Sequence, residues 1–225
     1  MFRHACSVYY VETMETMVRV KICGITCAED VWAAVTSGAH AIGFVFEPSS
    51  PRYVGAHEDL LDLLRSVPPF VVRVAVYGQL PQDDEHVWDE VDAVQYVTTQ
   101  GVVHLPLRLQ RIQAVRLRTE EDVAAALRLQ PEVDALLVDA YHPQKMGGTG
   151  ERADWTLARR LREEATKPII LAGGLTPDNV QQAIRQVMPY AVDVSSGVES
   201  APGKKDHQKV KEFIANVQRF ADGAR

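Results

Sequence analysis

Three side chains in this chain could carry chemistry: the thiol of Cys23 in VRVKICGIT, the carboxyl of Asp139 closing ALLVDA, and the guanidinium of Arg52 in EPSSPRY. A thiolate and a carboxylic acid on either side of a ligand are a base and an acid for proton transfer to and from carbon and oxygen. Cys23 would need its pKa, about 8.5 when free, lowered by N–H groups or a cation. Lys21 lies two residues back and therefore points to the same side of a strand. The bland reading of Cys23 is a small apolar thiol packed in a core. Asp139 follows an apolar run, where partial desolvation raises a carboxyl pKa and suits a general acid; its bland reading is a loop cap. Arg52 suits a carboxylate or phosphate on the ligand, or else it is a solvated surface residue. Cys23 and Cys27 form a C-x3-C spacing, and His4 with Cys6 adds little, so neither a metal site nor a redox pair is expected.

These residues must be positioned by the elements around them. Eight β-rich runs, VRVKICGI, AIGFVF, FVVRVAVYG, DAVQYV, RIQAVRL, ALLVDA, PIILAGG and AVDVSS, are near-continuous in apolar residues, as strands buried on both faces are. Amphipathic stripes lie between them: Val180, Ala183, Ile184 and Val187 keep the i, i+3, i+4, i+7 spacing, and Val210, Phe213, Ile214 and Val217 repeat it. Helix starts are predicted at a Thr26/Glu29 capping box, at Thr119 with Asp122, and at Thr176-Pro177. The alternation predicts an α/β fold, a single-domain (β/α)8 TIM barrel, with a doubly wound open sheet as the alternative. Residues 98 to 110, TTQGVVHLPLRLQ, lack a helical stripe, so the fourth helix is expected to be degenerate or missing.

In such a barrel catalytic groups sit at the C-terminal ends of strands. Cys23 ends the first strand, Arg52 follows the second, Asp139 ends the sixth, Gly173 and Gly174 end the seventh, and Ser195, Ser196 and Gly197 end the eighth. The glycine pair and the SSGVE turn offer backbone N–H groups to a phosphate, or are only turn punctuation. With a phosphate held at strands seven and eight, Cys23 and Asp139 would flank one sugar phosphate, an arrangement suited to proton-transfer isomerisation.

At 225 residues with net charge -6 and no basic stripe, the chain is not expected to bind nucleic acid. No apolar run approaches the roughly 20 residues that span a bilayer, so no membrane partner is expected either. Three cysteines, Cys6, Cys23 and Cys27, argue for a reducing compartment, the cytoplasm. Residues 1–16 lack the pattern of a signal peptide and are expected to be a poorly ordered extension, with the catalytic barrel over 17–225.

VKICGIT, GFVFEPSSPRYV, LLVDA…GGTG…DW, LAGGLTPDNV and AVDVSSGVESAPGKKDH, in this order from Met17 onward, resemble the phosphoribosylanthranilate isomerase family. The resemblance implies a (β/α)8 barrel of tryptophan biosynthesis with no metal and no organic cofactor, acting on a small phosphosugar as a monomer or homodimer. It implies an Amadori rearrangement in which Asp139 is the general acid and Cys23 the general base, Arg52 binds the anthranilate carboxylate, and the phosphate sits at Gly173, Gly174, Ser196 and Gly197. Gly147 and Gly148 would form a pliable loop after strand six. The chain departs from the family's VQLHG with VQYVTTQG; Gln95 is retained and would point into the mouth, while the lysine that follows the GGTG-type loop is replaced by Arg152 or absent. The alternatives are another phosphosugar barrel enzyme and a catalytically silent phosphate-binding barrel with a regulatory role.

Overall fold

A computed structural model describes residues 17–99, 104–139 and 154–223. Eight strands close into a parallel barrel: β1 (Arg19–Cys23), β2 (Ala41–Val45), β3 (Val72–Leu80), β4 (Ala93–Thr99), β5 (Gln110–Arg116), β6 (Ala135–Asp139), β7 (Ile169–Leu171) and β8 (Ala191–Val194). Strand β8 pairs with β1, with Lys21 opposite Asp193, and this contact closes the ring. The expected strands are all present, which settles the barrel over the open sheet. The helices are α1 (Ala28–Ser37), α2 (Leu60–Arg65), α3 (Glu85–Trp88), α4 (Glu120–Leu129), α5 (Trp155–Glu164), α6 (Val180–Val187) and α7 (His207–Gly223). Between β4 and β5 the described residues 104–109 form no helix, in keeping with the missing fourth unit. Among the described residues no helix is long and apolar enough to cross a membrane. Residues 1–16, with His4 and Cys6, and Gly147, Gly148 and Arg152 fall outside the described residues.

The two-residue period of each strand sorts its side chains between two cores. Val20 and Ile22 of β1, Ile42 and Phe44 of β2 and Val192 and Val194 of β8 face outward and pack with Val180, Ala183, Ile184 and Val187 of α6 and Val210, Phe213, Ile214 and Val217 of α7. Burying a side chain of this size contributes roughly 1.5–3 kcal/mol, so these stripes hold the helices to the sheet. The inward set, including Val74, Ala93, Ile112, Ala114, Leu137, Ile170 and Ala172, fills the barrel interior with small and branched residues. The interior is therefore a packed core, and a pocket lies at the strand C-termini.

Two helix starts differ from expectation. The cap of α1 is Cys27, not Thr26, because the Thr26 hydroxyl donates instead to the carbonyl of Gly203 at 2.7 Å. The helix after β7 begins at Val180: Asn179 accepts from the Thr176 amide at 2.9 Å and donates to the Gly174 carbonyl at 2.8 Å, so Thr176-Pro177 is a turn leading into the helix. At α4 the expected pair holds, with the Asp122 carboxylate accepting from the Thr119 amide at 3.2 Å.

Candidate active site

One pocket at the strand C-termini is lined by Cys23, Arg52, Gln95, Asp139, Gly173, Gly174, Ser196 and Gly197, the catalytic and ligand-binding residues the sequence singled out among the described residues. Cys23 and Asp139 approach it from β1 and β6, on either side of the β7 and β8 ends. Gly173 and Gly174 have φ of 79° and 63°, the left-handed region that favours glycine, so the chain turns sharply across the mouth there. A Cβ on Gly197 would run into the Leu175 carbonyl oxygen, which means that the loop after β8 lies directly on the loop after β7. Gly197→Ala must push these two backbones apart; we expect KM for a phosphorylated ligand to rise at least about tenfold, together with a lower Tm, and steady-state kinetics with a thermal melt check both.

Cys23 is 7% exposed and carries a free thiol. Burial pushes the thiol up, Lys21 pulls it down, and Asp193 adds to the upward push. The expected alignment of Lys21 with Cys23 is present, but the lysine has a second partner that the sequence reading did not name: its Nζ lies 2.9 Å from Oδ1 of Asp193. Burial lowers the Lys21 pKa, yet Asp193 and Cys23 outweigh it and raise it to about 12. Lys21 and Asp193, charges inside the apolar runs VRVKIC and AVDVSS, were the available signal, because buried charges are paired.

Arg52 is no solvated surface residue. It is 7% exposed, and its Nε and Nη2 hold the Glu199 carboxylate in a two-point clamp at 2.7 and 2.6 Å. Lys205 Nζ bonds the same carboxylate at 2.8 Å and the Ser195 carbonyl at 3.3 Å. Glu199 and Lys205 face each other across a two-stranded ribbon after β8, β9 (Glu199–Ala201) and β10 (Lys204–Lys205). Asp30 of α1 fixes the far side of the ribbon, accepting from the Lys205 amide at 3.1 Å and contacting His207 Nε2 at 2.7 Å. Sequence reasoning missed Glu199 and Lys205, since neither lies in a strand of the barrel and ESAPGKKD has no period to place them.

Gln95 is 8% exposed at the pocket wall, and its Oε1 has no hydrogen-bond partner among the described residues. An unmet buried acceptor costs about 1–3 kcal/mol, so it is suited to a ligand donor. Arg116, also missed, lines the pocket from β5, in register with Asp139. The mouth thus combines a thiol beside an ammonium, a carboxyl beside a guanidinium, and two backbone loops that can take an anion.

The family model for N-(5'-phosphoribosyl)anthranilate (PRA) isomerase matches residues 20–216. An N-(5'-phosphoribosyl)anthranilate isomerase from Geobacter sp. (strain M21) is 44% identical over 209 residues, covering 91% of this chain and 100% of that protein. The crystal structure of phosphoribosyl anthranilate isomerase from Thermotoga maritima is similar with a TM-score of 0.78 at 41% identity, over 90% of this chain and 100% of the other. A crystal structure of a phosphoribosyl anthranilate isomerase in complex with reduced 1-(o-carboxyphenylamino)-1-deoxyribulose 5-phosphate gives a TM-score of 0.75 at 40% identity, with the same coverage.

Proposed function

The chain belongs to the N-(5'-phosphoribosyl)anthranilate isomerase family, and we propose that it carries out the isomerisation in tryptophan biosynthesis with Asp139 as general acid and Cys23 as general base. The substrate is N-(5-phosphoribosyl)anthranilate and the product 1-(2-carboxyphenylamino)-1-deoxyribulose 5-phosphate. Asp139 donates its proton to the furanose ring oxygen; the C1'–O bond breaks and the electron pair of the anilino nitrogen closes a Schiff base. Cys23, as thiolate, takes the proton on C2', and those electrons form an enolamine. Tautomerisation of the enolamine moves the hydroxyl proton to C1' and leaves the ketose.

The observation that carries this reading is the single pocket in which Cys23 and Asp139 stand on either side of the Gly173-Gly174 and Ser196-Gly197 loops. A phosphate held by those backbones brings the sugar between the two groups, which is the orientation that acid–base catalysis needs. Arg52 is the anthranilate carboxylate ligand, its guanidinium fixed in advance by Glu199. Gln95 supplies its unmet acceptor to a sugar hydroxyl. Cys23 and Cys27 are both free thiols, which supports the cytoplasm as compartment.

Phosphoribosylanthranilate generated in situ is fluorescent, so its disappearance reports the reaction directly. Added protein is expected to accelerate the loss in proportion to its concentration. A rate equal to the uncatalysed background would refute the isomerase reading and favour the silent phosphate-binding barrel.

A further inference from the structure

Beneath Cys23 lies a charge pair that the acid and base steps leave unused. Lys21 and Asp193 occupy opposed positions on β1 and β8, are 3% and 7% exposed, and meet at 2.9 Å. Lys21 also pulls the Cys23 thiol pKa down, against the push of burial. Across from them, β2 presents Gly43, where a Cβ would stand 2.9 Å from Sγ and 3.0 Å from Lys21 Nζ. Sulfur and ammonium thus share the space of a side chain that is absent.

We propose that Lys21 is a positioning residue for the base: its ammonium, anchored by Asp193 and seated with Sγ against Gly43, holds Cys23 at the mouth and stabilises its thiolate, while Asp193 limits how far the thiol ionises. The inference rests on the reading of Cys23 as base and specifies how that base is made available. A buried thiol by itself stays protonated. When its proton leaves through the pocket, the trio of thiol, ammonium and carboxylate passes from net zero to net minus one, and the ammonium seated with the sulfur against Gly43 makes that step accessible. Asp193 raises the Lys21 pKa, as the sulfur itself also does, and it places a second negative charge near the sulfur.

The remaining charged groups around the sulfur are Lys205 of β10, which pulls the thiol down, and Arg52 of the loop after β2, whose own pKa the sulfur helps to raise. Glu199 is bonded to both and neutralises part of their field. Glu47, Arg116 and Asp139 line the same pocket. Lys21 and Asp193 act on Cys23 with opposite sign, which makes the pair testable.

The test is the pH dependence of Cys23 alkylation by iodoacetamide in the full chain, read at that residue by mass spectrometry, with circular dichroism as the check on folding. Lys21→Met is expected to move the midpoint upward and to lower kcat about tenfold or more with KM little changed. Asp193→Asn is expected to move the midpoint downward. A general loss of packing has no means of shifting two members of one ion pair in opposite directions. Gly43→Ala, which wedges Sγ from Nζ and keeps every charge, is the second route should Lys21→Met not fold, and it too should raise the midpoint. Midpoints that stay at the wild-type value, or that move the same way in Lys21→Met and Asp193→Asn, overturn the proposal. The titration needs no substrate, so a wild-type protein without turnover would refute the isomerase reading and leave this result to be judged separately.

Discussion

Cys23→Ala and Asp139→Asn are each expected to lower kcat by about 10² to 10⁴-fold, the range that a positioned acid or base contributes, with the barrel intact. The alanine removes one sulfur from the mouth, where Cys23 packs against a glycine, so little core volume is lost. The asparagine keeps the shape of Asp139 at the end of β6 and lacks only the transferable proton. Neither residue belongs to the loops proposed to hold the phosphate or is the proposed carboxylate ligand Arg52, so KM should stay near the wild-type value and kcat/KM should fall in step with kcat, as for interactions made only in the transition state. Stopped-flow or steady-state fluorescence assays give both constants, and titration with reduced 1-(o-carboxyphenylamino)-1-deoxyribulose 5-phosphate gives the binding constant without turnover. A Cys23→Ala protein that turns over at the wild-type rate would remove the thiol from the mechanism, and a large loss of analogue affinity would recast it as a binding residue.

The barrel was legible because its strands are buried on both faces, which writes an uninterrupted apolar run into each, and because the helices between them keep a 3.6-residue stripe. That periodicity also put Cys23, Asp139, Gly173 and Ser196 at strand ends, hence on one rim. Partners joined only by the closed ring were less legible. Lys21 and Asp193 are 172 residues apart in sequence and Arg52 and Glu199 147 apart, so no local spacing links them; only the rule that buried charges pair points to the first couple, and nothing local points to the second. Thr26 shows the same limit on a smaller scale. As a sequence feature it is a helix cap, but tertiary contact gives its hydroxyl a better acceptor in Gly203, and the cap passes to Cys27.

Glu199→Ala should be the most destabilising polar substitution in the site. The carboxylate stands between two buried cations, with side-chain exposures of 5% for Glu199, 9% for Arg52 and 0% for Lys205. Removing it leaves both cations buried without their common partner, and breaking a buried pair in this way costs about 3–5 kcal/mol. For a chain of this length, 1 kcal/mol corresponds to roughly 2–4 °C in Tm, so a drop of roughly 6–20 °C is expected by calorimetry. Lys205→Met in the Glu199→Ala background should restore part of it by taking away one orphaned charge, a coupling that independent sites would not show. The pH dependence has a definite sign. Burial pushes the Glu199 carboxyl up, but the bonds from Arg52 and Lys205 outweigh burial and hold it below its usual 4.5. Its contribution to stability is therefore complete above that value and is lost as the pH falls through the lower folded pKa, so the Tm gap between wild type and Glu199→Ala should narrow in acid. The same substitution frees the Arg52 fork, and KM should rise because the guanidinium proposed to meet the anthranilate carboxylate is no longer held in place. A Tm within 2 °C of wild type at neutral pH would show that the two cations are balanced by groups other than Glu199.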